Sequence, residues 1–342
     1  RGCDSRRLFQ GLKIATHPDF EKHLNQYNVI HLNMQNFLSK TQTIEQMIAL
    51  VTKAVGRDLL RAYPDIDYLD KSILTFMLDD VYQNYQVPFI FIIDEWDCIF
   101  RSRKNQLEEQ TKYLDFLRDL LKDKGYIALA YMTGILPIKK YGEHSAINVF
   151  YEYSMTDASP IEEFTGFTEQ EVRQLCEQYN MPFSETKKWY DGYCVDGVSI
   201  YNPKSVVEAM LRGKFSNYWT QTETYEALKI YIQSNEFGVQ DVILKLLAGE
   251  KEKIDTTTFS NDMVTFATKD DVLTLLVHLG YLTYNAETKE IWIPNDEVME
   301  QFISTVKVMG WGSVVTALET SEKLLQATLS GDEQTVAELI EQ

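Results

Sequence analysis

Two adjacent carboxylates, Asp94 and Glu95, follow directly after an unbroken apolar run at residues 89–93. A short continuous apolar run of this kind is typical of a strand buried on both faces of a parallel sheet. In an open α/β sheet, ligands gather beyond the carboxyl ends of the strands, which is where both acids are expected. Carboxylates in that place could hold Mg²⁺ through its water shell and could orient or deprotonate an attacking water.

This arrangement has the form of a Walker B element, with Asp94 on the metal side and Glu95 as the catalytic acid. The plain alternative is a core strand whose acids only cap the following helix. Thr133 follows the next apolar run, 126–132, and is expected beside the two acids on the same edge of the sheet. It could hydrogen-bond a γ-phosphate or the attacking water as a sensor. An ordinary threonine at a strand end explains the residue equally well.

Strands and helices alternate over residues 27–153, which predicts a doubly wound parallel α/β sheet. The expected strands are 29–34, 89–93, 126–132 and 149–153, and the expected helices are 43–63, 68–85 and 107–121. Apolar residues recur at helical spacing in each of these helices, and Thr43 is the predicted N-cap of the first one.

The composition changes near residue 166, where a capping-box helix (168–179) and a hairpin-like turn (189–203) predict a small helical lid. Further helices are expected at 203–211, 222–233, 238–247, 313–329 and 333–340. A helix at 272–279 followed by strands at 281–285 and 291–293 is typical of a winged helix, which we expect to pack within the protein. The predicted parts are therefore a core (1–165), a lid (166–235), a winged-helix-like module (236–310) and C-terminal helices (311–342).

Glu287-Thr288-Lys289 has the E-x-K spacing of a nuclease strand. Asp270, Asp271 or Asn285 would have to be recruited as its partner. A charged hairpin tip in the predicted wing is the simpler interpretation.

The composition excludes several classes of protein. The formal net charge of −18 argues against a general DNA-binding surface, which must neutralise phosphates with Lys and Arg. No apolar run approaches the roughly 20 residues that span a bilayer, and no signal peptide opens the chain. The four cysteines are scattered without a C-x-x-C pair, and the histidines lack a metal-binding helical spacing. We therefore expect a cytoplasmic protein without a membrane partner.

A phosphate-binding P-loop needs the string G-x-x-x-x-G-K-[ST], because glycines let backbone N–H groups wrap the phosphates. The sequence contains no such string. Residues 134–140 have the wrong spacing, and Arg212-Gly213-Lys214 lacks the first glycine and the terminal hydroxyl. In the usual topology the P-loop strand precedes the Walker B strand, so its place is expected upstream of Arg1.

Ordered strings along nearly the whole chain resemble the predicted AAA-ATPase-like proteins of bacteria, relatives of the archaeal-type and STAND-like P-loop ATPases. These strings are Leu8-Phe9-Gln10-Gly11-Leu12-Lys13-Ile14, Phe91-Ile92-Ile93-Asp94-Glu95-Trp96-Asp97, Thr133-Gly134-Ile135-Leu136-Pro137-Ile138, Trp189-Tyr190-Asp191-Gly192-Tyr193, Tyr201-Asn202-Pro203, Leu279-Gly280-Tyr281-Leu282 and Ile293-Pro294-Asn295-Asp296-Glu297-Val298. The resemblance implies an ATPase core that uses ATP and Mg²⁺, in which Asp94 holds the metal, Glu95 is the catalytic acid and Thr133 is the sensor.

In that family a glycine-rich loop precedes a segment like 8–12, and many members carry a PD-(D/E)XK nuclease-like domain after a region like 325–340. The resemblance therefore implies the middle of an ATPase–nuclease protein that is inactive by itself. Its implied partners are ATP, the nuclease-like domain in cis, nucleic acid through that domain, and other subunits if it forms oligomers. Arg101, Arg103 and Lys139 are arginine-finger candidates by their closeness to strand ends.

One rival hypothesis comes from a different class. It is a winged-helix module that binds nucleic acid or protein, carried on an α/β scaffold without catalytic function.

Overall fold

The computed structural model describes residues 4–103, 106–136, 150–195, 197–219, 236–259, 266–308 and 312–341. Two compact units are separated between Tyr151 and Glu152. The first unit contains a parallel sheet, and the second contains two antiparallel sheets.

The sheet of the first unit has the strand order β1-β2-β3, with β1 at Asn28–Asn33, β2 at Phe89–Asp94 and β3 at Ile127–Met132. All three strands are parallel, so their carboxyl ends share one edge. The strands predicted from apolar runs are confirmed to within a residue at each end. The strand predicted at 149–153 is not formed over 150–153, and residue 149 lies outside the described ranges.

The described residues of this unit form six α-helices. They are α1 (Phe20–His23), α2 (Met34–Leu38), α3 (Ile44–Ala62), α4 (Leu74–Tyr85), α5 (Cys98–Ser102) and α6 (Leu107–Leu121). The N-cap predicted for α3 is confirmed, because the Thr43 hydroxyl accepts a hydrogen bond from the backbone N–H of Gln46. The start predicted for α4 is too early. The Tyr68 hydroxyl lies 3.3 Å from the carbonyl oxygens of both Leu59 and Tyr63 at the end of α3, and its single proton can be donated to either or shared between them. This contact ties the segment to α3 and not to α4.

The hydrophobic core of the first unit lies against one face of β2. Phe89, Phe91 and Ile93 are fully buried, whereas the intervening Ile90 and Ile92 are half-buried. The prediction that this strand is buried on both faces is therefore correct for one face and only partly correct for the other.

Strand β3 is an edge strand and not the buried strand that its apolar sequence predicts. Among the described residues it pairs with β2 on one side only, and Leu129 and Tyr131 are 54% and 53% exposed. An apolar run indicates that a strand can be buried, but it does not indicate whether a neighbouring strand covers it.

The second unit begins with a sheet of order β4-β6-β5, formed by β4 (Phe167–Thr168), β5 (Tyr193–Val195) and β6 (Val198–Tyr201). Three helices accompany it: α7 (Glu169–Tyr179), α8 (Phe183–Tyr190) and α9 (Pro203–Arg212). The predicted capping box of α7 is confirmed between Thr168 and Glu171. The part predicted as a helical lid therefore also contains a small sheet, and the helix predicted at 222–233 lies outside the described residues.

The chain continues through α10 (Val239–Leu247), β7 (Glu252–Lys253), α11 (Lys269–His278), β8 (Thr283–Asn285) and β9 (Glu290–Trp292). The last two strands form an antiparallel hairpin in a sheet of order β7-β9-β8. The predicted helix and hairpin are thus present, while a winged helix remains a prediction. The E-x-K string lies in the hairpin turn, where Asn285 Oδ1 accepts the N–H groups of Glu287 and Thr288 at 2.9 Å each.

Three helices follow the hairpin: α12 (Asp296–Val308), α13 (Gly312–Ser330) and α14 (Glu333–Glu341). The helices predicted at 313–329 and 333–340 are confirmed. No described helix combines the length and the apolar character that crossing a membrane requires. Cys98, Cys176 and Cys194 are free thiols. The four-part division 1–165, 166–235, 236–310 and 311–342 remains a prediction.

Candidate functional site

Asp94 ends the central strand and is held by side chains from the two neighbouring strands. The Thr133 hydroxyl, directly after β3, donates to Asp94 Oδ1 at 2.7 Å. The Asn33 amide, at the end of β1, donates to Asp94 Oδ2 at 3.0 Å. Asn33 reaches this position because it pairs in register with Asp94. The carboxyl ends of the three strands therefore meet at the Asp94 carboxylate, and the two hydrogen bonds fix its orientation.

Glu95 leaves the strand in a left-handed backbone conformation, with φ of 56°. A non-glycine residue in this region carries a conformational cost of about 1–2 kcal/mol, so the surrounding contacts must hold it. Its N–H donates to Asp94 Oδ1 at 3.1 Å, and its carboxylate forms an ion pair with Arg101. The Glu95 side chain is 35% exposed, so it remains accessible from solvent.

Asp97 is fully buried and binds the segment that follows β3. Its Oδ2 accepts the backbone N–H groups of Ile135 and Leu136 at 3.1 and 2.8 Å. Arg101 Nε lies 3.2 Å from the same oxygen. These contacts pair and hydrogen-bond Oδ2, as a buried carboxylate requires. Oδ1 is buried without a hydrogen-bond partner among the described residues.

Gly134, in the segment after β3, packs tightly against Trp96 and Asp97 in the segment after β2. A Cβ atom at this position would lie 2.7 Å from both Asp97 Oδ1 and the Trp96 ring. The backbone on either side is hydrogen-bonded as well, since Trp96 N–H donates to the Thr133 carbonyl at 3.0 Å. The segment after β3 is therefore held against the segment after β2 in two ways. The two backbones are hydrogen-bonded, and their close approach at Gly134 leaves no room for a side chain.

Two groups beside the site are kept neutral by burial. Burial raises the pKa of the Cys98 thiol to about 12, although the positive charge of Arg101 acts in the opposite direction. Burial also raises the pKa of Tyr113 well above its usual value, while its hydroxyl donates to the Trp96 carbonyl at 2.8 Å. Cys98 is therefore a packed neutral thiol and not a nucleophile.

The donors present fit Mg²⁺ but do not form a cage for it. Among the described residues there is no group of three or more His, Cys, Asp or Glu side chains that could hold a metal. Mg²⁺ commonly keeps several waters and binds through one or two carboxylates together with substrate phosphates. Asp94, with its hydroxyl neighbour Thr133, offers the hard oxygen ligands of such a site.

The arginine-finger candidates are engaged within the first unit. Arg101 is ion-paired with Glu95 and Asp97. Arg103 is ion-paired with Glu109 and also donates to the carbonyl of Gln42 at 2.7 Å. Lys139 lies outside the described residues.

Sequence reasoning missed Asn33 and the roles of Asp97 and Gly134. The polar end of the strand at 29–34 was a usable signal for Asn33, because parallel strands end at the same edge. The helical spacing between Asp97 and Arg101 was a signal for their ion pair. No sequence pattern indicated that Asp97 would bind the backbone of a segment 38 residues away.

Several of the strings of the second half that carry the family resemblance meet each other in the second unit. The Asn295 amide donates to the Asp191 carbonyl at 2.9 Å, and the Tyr193 hydroxyl donates to the Gly280 carbonyl at 2.9 Å. A Cβ atom on Gly192 would overlap the carbonyl oxygen of Pro294. These contacts give the strings a packing role inside that unit.

A family model described as "Predicted AAA-ATPase" matches residues 3–142. A curated relative, the "Uncharacterized protein in vnfD 5'region" of Azotobacter chroococcum mcd 1, is 26% identical over 141 residues, or 40% of this chain and 27% of the relative. A solved structure titled "Structure of the Aeropyrum Pernix ORC2 protein (ADPNP-ADP complexes)" is 11% identical, with a TM-score of 0.27. That match covers 82% of this chain and 79% of the other.

The resemblance to the predicted AAA-ATPase family is confirmed over residues 3–142, which include Asp94, Glu95 and Thr133. The match to the curated relative spans only about a quarter of that protein's length. The strings beyond residue 142 lie outside the family match, so what they imply about a lid, a winged helix or a nuclease-like domain remains a prediction.

Proposed function

We propose that residues 1–165 form the core of an ATPase that binds Mg-ATP at the carboxyl edge of the parallel sheet. The observation that carries this proposal is the oriented carboxylate of Asp94, held by Thr133 and Asn33 where three parallel strands end. The family match over residues 3–142 supports the same assignment. ATP and Mg²⁺ are the proposed substrate and cofactor.

Asp94 is the proposed metal-side residue. Mg²⁺, when bound, would neutralise charge on the phosphate oxygens and leaving group. The hydrogen bonds from Thr133 and Asn33 fix the carboxylate plane before any ligand arrives, which lowers the reorganisation needed on binding. Oδ1 already accepts from the Thr133 hydroxyl and the Glu95 N–H, and Oδ2 accepts from Asn33. Each carboxylate oxygen has about two acceptor positions, so the second position on Oδ2 is left for a water molecule of the metal shell.

Glu95 is the proposed catalytic acid. Arg101 engages Oε2 of this carboxylate, which leaves Oε1 to accept a hydrogen bond from the attacking water. The partial exposure of Glu95 provides access for that water. Its role in this proposal is to orient the nucleophile toward the γ-phosphate.

Thr133 is the proposed sensor, but its hydroxyl has only one proton to donate. In the structure that proton goes to Asp94. While it does so, Thr133 can only accept a hydrogen bond from water. The contribution we propose is therefore indirect, with Thr133 holding Asp94 in place, unless it exchanges Asp94 for a phosphate oxygen.

The proposal requires a phosphate-binding loop, and the sequence contains no G-x-x-x-x-G-K-[ST] string. The exposed outer side of β3 is where a further parallel strand carrying such a loop could pair. Leu129 and Tyr131 would then be covered as strongly as the corresponding residues of β2. We propose this edge as the place of the loop-bearing strand.

The test is ATP turnover with Mg²⁺, measured on this chain and on any longer product of its gene. Glu95→Gln should abolish Mg-dependent hydrolysis but retain nucleotide binding, and Asp94→Asn should weaken the dependence on Mg²⁺. Asp115→Asn, an exposed acid on α6, is the matched control and should behave as the wild type. Hydrolysis that is insensitive to both Glu95→Gln and Asp94→Asn would rule out the proposed site.

The predicted nuclease-like domain in cis and nucleic acid bound through it remain proposals that rest on the family resemblance alone. Oligomerisation is also a proposal. The winged-helix alternative would be favoured if duplex DNA binding depended on salt while ATP hydrolysis did not depend on Glu95.

A further inference from the structure

Arg101 lies between the two acids that follow the end of β2. Its Nη2 is ion-paired with Glu95, and its Nε lies 3.2 Å from Asp97 Oδ2. The guanidinium side chain is 20% exposed, whereas the Asp97 side chain is completely buried. One planar cation therefore contacts both a solvent-accessible carboxylate and a buried one.

Asp97 transmits this contact to the segment after β3. The same Oδ2 atom that faces Arg101 accepts the N–H groups of Ile135 and Leu136. These residues are separated by Gly134 alone from Thr133, whose hydroxyl holds Asp94. A displacement of Asp97 would therefore reach the segment 133–136, called the turn 133–136 below, through two hydrogen bonds of 3.1 and 2.8 Å.

We propose that Asp97 and Arg101 act as one positioning unit, which sets the orientation of Glu95 and the position of the turn 133–136 together. Arg101 is a positioning residue because it acts through Glu95 and Asp97. Asp97 is a positioning residue because it acts through the turn. The proposal deepens the proposed function, since it assigns to these two residues the placement of both Glu95 and Thr133.

The carboxylate and guanidinium charges explain why Asp97 and Arg101 act together. Asp94, Glu95 and Asp97 place three carboxylates within four residues, and Arg101 is ion-paired with two of them. Removal of Arg101 would leave the buried Asp97 carboxylate without its counter-ion and would release Glu95 at the same time. Each acid therefore loses a contact when the shared cation is lost, Glu95 its ion pair and Asp97 the contact at Oδ2.

The first test observes the turn directly, by NMR of the backbone amides of Ile135 and Leu136. Selective ¹⁵N labelling of Ile and Leu, with amide hydrogen exchange, reports the hydrogen bonds to Asp97. Arg101→Gln should shift both amide resonances and speed their exchange about tenfold, although Arg101 touches neither amide. Arg101→Lys should give a smaller change, because an ammonium lacks the planar fork that reaches both acids.

The matched control is Arg103→Gln. Arg103 is similarly buried and is ion-paired with Glu109, but it contacts neither Glu95 nor Asp97. It should leave both resonances in place. A change of the same size in this control would overturn the proposal, as would unchanged amides in folded Arg101→Gln or, if that variant does not fold, in Arg101→Lys.

A second comparison tests the link to Glu95. Glu95→Gln should shift the Ile135 and Leu136 amides when Arg101 is present and should add nothing in the Arg101→Gln background. A purely structural arginine would lower the unfolding temperature without this dependence. Independent effects of the two substitutions on the amides would contradict a single positioning unit.

The last measurement is Mg-ATP turnover, which rests on the proposed function and is made on the product of the gene, this chain or a longer one, that hydrolyses ATP. Arg101→Lys should lower kcat by about 100-fold, the loss expected from a misplaced catalytic group, and leave KM within about twofold. If the amides shift as expected but the rate of ATP hydrolysis is unchanged by Glu95→Gln, the positioning unit is supported and the proposed function is rejected. Unshifted amides would reject the positioning unit whatever the turnover.

Discussion

The Thr133 hydroxyl lies 2.7 Å from Asp94 Oδ1, so a side-chain hydrogen bond joins the ends of two neighbouring parallel strands. The two residues are 39 positions apart in the chain. The acceptor is charged and the bond is partly buried. Under these conditions a hydrogen bond contributes more than the average to the stability of the folded state.

Thr133→Val should therefore lower the free energy of unfolding by about 1.5–3 kcal/mol, measured by denaturant titration. Thr133→Ser should restore most of that loss because it keeps the donor. Thr111→Val on α6 is the control, since the Thr111 hydroxyl is exposed and donates only to the Leu107 carbonyl of its own helix. If Thr133→Val is no worse than Thr111→Val, the bond does not hold Asp94.

A second prediction concerns Gly134. Gly134→Ala would place a Cβ atom 2.7 Å from Asp97 Oδ1 and from the Trp96 ring, so the two segments must separate. We expect a loss of about 1–3 kcal/mol in unfolding free energy, typical of overpacking.

The matched substitution is Gly125→Ala, where the nearest atom to the new Cβ is a Tyr82 ring carbon at 3.8 Å. It should be neutral or slightly stabilising because alanine restricts the unfolded chain. Equal effects of the two alanines on the unfolding midpoint would show that the Gly134 contact is not tight.

The main elements could be predicted from the sequence because local signals determine them. The apolar run at 89–93 predicts the central strand, and helical spacing with an N-cap at Thr43 predicts α3 to within a residue at each end. The position of Asp94 at the carboxyl edge follows from the order of strands and helices alone.

The contacts that shape the site could not be predicted, because they depend on register and on unusual backbone geometry. Asn33 meets Asp94 only because β1 and β2 pair with that register. Glu95 forms its ion pair with Arg101 from a left-handed backbone conformation, with a Glu95 φ of 56°. No pattern of side chains in the sequence indicates that conformation. The exposure of β3 was missed because hydrophobicity does not report which neighbouring strand is present.

The exposed edge of β3 leads to a third prediction. An unpaired apolar edge strand can pair with another copy of the chain, and charged residues on such an edge suppress this. Tyr131→Lys should therefore reduce self-association, measured by sedimentation velocity over a range of protein concentrations. Leu69→Lys is the control, because Leu69 is 75% exposed but lies outside any strand. Equal effects of the two lysines would indicate a general charge effect and not edge pairing.

The fourth prediction concerns a buried carboxylate of the second unit. Glu297 is 1% exposed, and its Oε1 accepts the N–H groups of Tyr218 and Trp219 at 2.6 and 2.9 Å. Burial raises the pKa of Glu297 despite these hydrogen bonds. Glu297→Ala should leave both N–H groups without an acceptor and cost about 1–3 kcal/mol for each of them.

The raised pKa of Glu297 also fixes the sign of its pH dependence. The folded protein binds the proton more tightly than the unfolded chain, whose glutamates have a pKa of about 4.3. The stabilisation from this residue is therefore complete below that pH and is lost as the pH rises through the folded-state pKa. Each unit by which the pKa is raised corresponds to about 1.4 kcal/mol.

Glu297→Gln keeps a carbonyl acceptor and cannot ionise, so it should remove this contribution. Thermal unfolding of both proteins across pH 4 to 8 should show the wild type gaining stability relative to Glu297→Gln as the pH falls. Glu185→Gln, on an exposed position of α8, is the control for the general effect of removing a carboxylate. A difference between wild type and Glu297→Gln that grows in favour of the wild type toward high pH would show that the Tyr218 and Trp219 hydrogen bonds outweigh burial.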